Sequence, residues 1–137
     1  MPHPSVSSPS EGYRQPRHRG PVRRYCQTLA LRDDPELIAA YRALHSSEGV
    51  WQETLSAIRD AGILEMEIYL SGNQLFMVVE LPADLPWDEA MRRMAQAPRQ
   101  AEWEALTARF QQASPDQKSE EKWQMMERIF HRYDADE

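Results

Sequence analysis

The chain holds a single cysteine, Cys26, so no disulfide can form within it. That usage fits a reducing compartment. It also has no apolar run long enough to span a bilayer as a helix. The N-terminus lacks the apolar stretch of a signal peptide, so a cytoplasmic protein is expected. Glycine is scarce, and the 5 present build neither a GxGxxG turn nor a phosphate-cradling P-loop. No nucleophile elbow is present. Histidine is scarce too: of 4, His3 and His18 fall in a proline-rich start, which leaves His45 and His131. One cysteine and two histidines give no basis for a Cys/His zinc site.

What is present is acid, unevenly spread. The net charge of −6 combines 16 basic and 22 acidic residues. Five of the basic ones (Arg14, Arg17, Arg19, Arg23 and Arg24) lie in the first 24 positions, against one acid, Glu11. From residue 25 on the balance is −10, which argues against a nucleic-acid or membrane-surface partner. Residues 1–20 carry Pro2, Pro4, Pro9 and Pro16 and almost nothing apolar. Such a segment buries too little surface to offset its ordering entropy, so a disordered tail is expected there, with a single domain over 21–137.

Within that domain, Val22 to Leu31 reads as a strand. Asp34 to His45 reads as a helix, with Asp34 as cap, Pro35 at the first helical position and Glu36 in the first turn. A second helix is expected from Val50 to Ala61, closed by Gly62. Ile63 to Leu70 alternates, placing Leu64, Met66, Ile68 and Leu70 on one face and Glu65, Glu67 and Tyr69 on the other. With the turn at residues 71–74 and the return over Leu75 to Leu81, it makes a β-hairpin. Trp87 to Ala97 and a segment from Pro98 through Phe110 read as helices. Residues 113–121 read as a loop and Lys122 to Tyr133 as a last strand. The resulting βαββαβ order suits an α+β sandwich, one antiparallel sheet with helices on one face. Its bare face mixes charge with aromatic surface, and a second copy is expected to cover it.

Chemistry narrows to one helix face. Tyr41 and His45 stand one turn apart where apolar residues point. A phenol beside an imidazole there is either a polar pair in the core or the wall of a pocket. For a partner base, alternation turns Glu65 and Glu67 to the face opposite Met66; Glu80 and Glu102 are the candidate carboxylates, and a water held by Tyr41 is the alternative.

Six stretches in order resemble the L-rhamnose mutarotase family, which includes L-fucose mutarotases. They are Tyr41-Arg-Ala-Leu-His45, Trp51-Gln-Glu, Ala61-Gly-Ile-Leu-Glu-Met-Glu-Ile-Tyr-Leu70, Gly72-Asn-Gln-Leu-Phe-Met-Val-Val-Glu80, Glu102-Trp103, and Glu121-Lys-Trp-Gln-Met-Met-Glu-Arg-Ile-Phe130. The resemblance implies a ferredoxin-like fold that dimerises into a barrel-like assembly. It also implies interconversion of the α and β anomers of a 6-deoxy sugar without metal or cofactor. It makes His45 the proton donor, Tyr41 a sugar contact and Trp103 part of the sugar's wall. Met66 stands where the L-rhamnose enzyme has a sugar-contacting tyrosine, and Glu102 where it has the first of two tryptophans. Both departures point towards L-fucose ahead of L-rhamnose. A binding module of the same fold, holding haem through His45 or His131, stays open as a second class. An interaction protein working through its basic tail is a third.

Overall fold

The computed structural model describes residues 8–112 and 122–133. Four strands, β1 (Val22–Ala30), β2 (Glu65–Ser71), β3 (Gln74–Pro82) and β4 (Gln124–Met125), form one antiparallel sheet in the order β2-β3-β1-β4. Helices α1 (Pro35–Leu44) and α2 (Gln52–Asp60) connect β1 to β2, and α3 (Trp87–Ala95) and α4 (Gln100–Ala108) lie between β3 and β4. This is the expected α+β, ferredoxin-like arrangement.

Local chemistry sets the element ends. The Asp34 side chain accepts the Glu36 backbone N–H at 2.9 Å, and Pro35 follows as the first helical residue of α1. The β2–β3 hairpin closes between Ser71 and Gln74, with Gly72 at φ 62° in the turn. A side chain at that φ would be strained, so glycine belongs there. Asn73 then ties the turn to the end of β1: its carbonyl accepts from Leu31 N at 2.7 Å and its amide donates to Leu31 O at 3.0 Å.

Sheet alternation sorts the strands. Leu29 of β1 and Leu75, Met77, Val79 and Leu81 of β3 are buried beneath the helices. Ala61, Ile63 and Ala90 complete one core cluster; Leu31, Tyr41 and Leu75 form another, and Trp123 packs on both. The opposite face carries an Arg24–Glu80 ion pair at 2.7 Å and a Tyr69–Glu67 hydrogen bond at 3.1 Å. Residues 8–20 form no helix or strand. They touch this face twice, through His18 Nε2 and Glu65 Oε2 at 3.2 Å and through an edge contact of the Tyr13 and Tyr69 rings.

Two expectations change. Pro98 does not open the last helix, which begins at Gln100 after Arg99 takes a left-handed φ of 63°. The Arg99 guanidinium lies over Trp51, 4.2 Å from its centroid, and its Nε donates to Glu102 at 2.8 Å, contacts that offset the strain. The strand expected over Lys122 to Tyr133 shrinks to two residues, paired with Gln27 and Thr28. Lys122 turns inward and is buried, while Ile129 and Phe130 stand 90% and 80% exposed. Strand preference reflects packing against neighbours, and no described residue packs on those two. The loop expected at 113–121 lies outside the described residues.

The α1–α2 turn carries His45 and is tightly wound. Ala43 O accepts both Ser46 N and Ser46 Oγ, and Gly49 N donates to Ser46 O. A Cβ at Gly49 would run into the Ala43 carbonyl oxygen. Gly49→Ala therefore forces backbone to move, and a loss of about 1–3 kcal/mol is expected by chemical denaturation. An unchanged midpoint would show that the turn yields freely.

Candidate active site

A cavity of about 750 Å³ opens between the helices and the covered face of the sheet. Its apolar side is lined by Met66, Ile68, Met77, Val79, Trp87 and Met91. Its polar side collects Tyr41 and His45 from α1, Gln27 from β1, Gln100, Glu104 and Thr107 from α4, and Gln111 and Lys122 beyond it.

α1 presents Tyr41 and His45 on one face, as the four-residue spacing requires. Their rings stack at 4.3 Å, and the outer side of His45 meets Trp103 edge-on at 5.4 Å. Trp51 backs Trp103 at 5.3 Å, and Phe110 backs Tyr41 at 6.1 Å. His45 Nδ1 lies 2.9 Å from the Tyr41 carbonyl oxygen. A carbonyl only accepts, so Nδ1 carries the hydrogen and Nε2 is the nitrogen left for a ligand.

Burial pushes the His45 imidazole below its ordinary value of 6.5, opposed in part by that backbone bond. Burial pushes the Tyr41 phenol up to about 12, against the Gln111 amide, so it stays a protonated donor. Gln100 and Gln111 are each 3% exposed and Lys122 7%. The side-chain oxygens of both glutamines are buried and have no hydrogen-bond donor among the described residues.

Of the residues singled out in the sequence, the structure brings Tyr41, His45, Met66 and Trp103 to one cavity. Glu102 does not join them: it is exposed and bonded to Arg99. His131 stands exposed, its Nδ1 against the Tyr133 carbonyl. Gln27, Gln100, Glu104, Gln111 and Lys122 were missed. Their sequence signal was polar residues on faces whose spacing marks them as inward: Gln27 alternates with Leu29, and Gln100, Glu104 and Thr107 share the α4 face of Trp103. Among the described residues no group of three His, Cys, Asp or Glu side chains converges on a possible metal position.

A family model of L-rhamnose mutarotases matches residues 24–132. The chain belongs to the L-rhamnose mutarotase family. This family's named members are carbohydrate isomerases. An L-fucose mutarotase of Xanthomonas campestris pv. campestris is 40% identical over 109 residues, covering 80% of this chain and 87% of its own. The solved L-rhamnose mutarotase of Formosa agariphila superposes with a TM-score of 0.59 at 22% identity, covering 80% of this chain and 97% of its own, and shares the fold. Family membership favours a mutarotase over the haem-binding alternative.

The His45 shift has a stability consequence. Because the folded value lies below 6.5, the unfolded chain binds more protons as pH falls through that window. His45 therefore costs no stability above its ordinary value and progressively destabilises the fold as pH drops from about 6.5. The loss of stability between about pH 7.5 and about pH 5 is expected to be smaller in His45→Gln than in the wild type, read by urea denaturation at both values. Equal losses would contradict the burial argument.

Proposed function

We propose that the protein interconverts the α and β anomers of a 6-deoxy-L-hexose by acid–base ring opening and closure, with L-fucose ahead of L-rhamnose. The observation that carries this reading is His45 itself. Its Nδ1 is committed to the Tyr41 carbonyl, and the residue lines a cavity with one apolar and one polar side. Nε2 is then the atom that protonates the ring oxygen. Tyr41 holds a sugar hydroxyl, while Met66 and Trp103 lie along the methyl group and the C–H face of the ring. Met66 in the wall and the 40% identity to an L-fucose mutarotase support the preference for L-fucose. Glu102 is left out of the site because it pairs with Arg99 at the surface. The catalytic unit is residues 21–137, working in the cytoplasm without a cofactor, with two copies covering each other's open sheet face.

Opening needs a proton on the ring oxygen and the loss of one from the anomeric hydroxyl. An imidazole suits the first because it gives and recovers a proton near neutrality. The sugar already exchanges slowly in water, so an acid–base factor on the order of 10²–10⁴ suffices.

Saturation-transfer NMR between the two anomeric protons tests the reading directly. Exchange faster than in buffer is expected for L-fucose and, more weakly, for L-rhamnose. Buffer rates for both sugars would end it. His45→Ala is expected to lose on the order of 10²-fold or more while keeping the fold. Since the donor is the imidazolium, kcat/KM should fall as pH rises through a value below 6.5. A rise there would put the neutral imidazole in the opposite role.

A further inference from the structure

Mutarotation needs a second proton-transfer group, and the carboxylates divide sharply by where they face. Glu65, Glu67 and Glu80 stand on the sheet face away from the cavity, engaged by His18, Tyr69 and Arg24. Glu89 is held by Arg92 and Arg93, and Glu102 by Arg99. Among the described residues two carboxylates line the cavity, Asp88 and Glu104. Asp88 is exposed in the first turn of α3. Glu104 is half-buried and directly follows Trp103, whose ring meets His45.

Gln100, one turn earlier on α4, fixes this carboxylate. Its Nε2 donates to Glu104 Oε2 at 3.1 Å, which leaves Oε1 for a ligand. Gln100 is almost fully buried, and its own Oε1 has no donor among the described residues. A buried acceptor without a donor is costly, and native structures normally satisfy such atoms. A sugar hydroxyl supplies the missing hydrogen. The pair thus offers one oxygen to take a proton and another to hold the hydroxyl group next to it.

We propose that Glu104 is the general base of the reaction and that Gln100 positions it, an inference that rests on the mutarotase reading above. The step balances. Glu104 takes the proton of the anomeric O1–H as the C1–O5 bond breaks. The bonding pair goes to O5, which receives the proton of His45 Nε2, and C1–O1 becomes the carbonyl. After rotation about C1–C2, O5 attacks the other face of C1. Its proton returns to His45, and Glu104 gives its proton back to O1. The cycle consumes no co-reactant.

The test is anomer exchange on L-fucose and L-rhamnose for the full chain and three variants. Among the described residues, the other titratable groups lining the cavity are Tyr41 and His45 from α1, Asp88 and Arg92 from α3, and Lys122 before β4. Glu102→Gln, on the solvent side of the same helix, serves as the control. Glu104→Gln is expected to lower kcat on the order of 10²-fold, with a far smaller change in KM. Glu104→Asp, which keeps the carboxylate, should recover part of that loss, a rescue that a packing role would not show. Glu102→Gln should keep wild-type kcat. Wild-type kcat in Glu104→Gln would overturn the proposal while leaving the mutarotase reading standing, as would an equal loss in Glu102→Gln. If Glu104→Gln does not fold, Glu104→Ala is read in its place, and wild-type kcat there overturns it equally. No acceleration by the wild type would overturn both readings.

Discussion

The Tyr41 carbonyl in the last turn of α1 accepts twice from His45, the C-terminal cap: from its backbone N–H at 3.3 Å and from its ring Nδ1–H at 2.9 Å. The bond from Nδ1 to the Tyr41 carbonyl sets the tautomer, aims the ring and leaves Nε2 available. It also accounts for the stack on Tyr41, since both groups come from one turn of helix. The remaining wall is brought from elsewhere. α4 places Trp103 against the imidazole with its ring steeply inclined, and Trp51, at the start of α2, backs Trp103 and is itself covered by Arg99. If the α1–α2 turn shifts, the imidazole loses its register with Trp103, so the close approach of Gly49 to Ala43 belongs to the site as much as to the fold.

Sheet alternation then sorts the chemistry. One face of β2 and β3 gives the cavity Met66, Ile68, Met77 and Val79. The other holds Glu65, Glu67 and Glu80 in contacts with His18, Tyr69 and Arg24. The period of two that packs the core thus also turns three carboxylates away from the cavity. α4 performs the same sorting with its own period. Glu102 and Glu104 are two residues apart, about 200° around the helix, so one pairs with Arg99 in solvent and the other lines the cavity.

Much of the architecture was legible in the sequence, for reasons that are local. Asp34 and Pro35 announce the start of α1, and alternation with Gly72 in the turn announces the hairpin. Tyr41, His45 and Trp103, which line one cavity, were legible as a candidate site because helical spacing joined the first two and a recognisable motif order joined the third. The short β4 was not legible, because Ile129 and Phe130 have strand character that only neighbours can satisfy. Nor were Gln27, Gln100, Gln111 and Lys122: a polar residue on an inward face reads as an interruption of the core until a cavity is seen beside it. Glu102 was placed by motif correspondence alone, which carries no information on the angle at which a side chain leaves its helix.

The central claim is that His45 meets the sugar through Nε2 while Nδ1 stays bound to the Tyr41 carbonyl. Nitrogen-15 NMR of the imidazole, recorded with and without L-fucose, reports both atoms at once. The account predicts a protonated Nδ1 that is unchanged on adding sugar and an Nε2 resonance that moves. An Nε2 signal indifferent to saturating L-fucose, or a hydrogen residing on Nε2 in the free neutral ring, would contradict it.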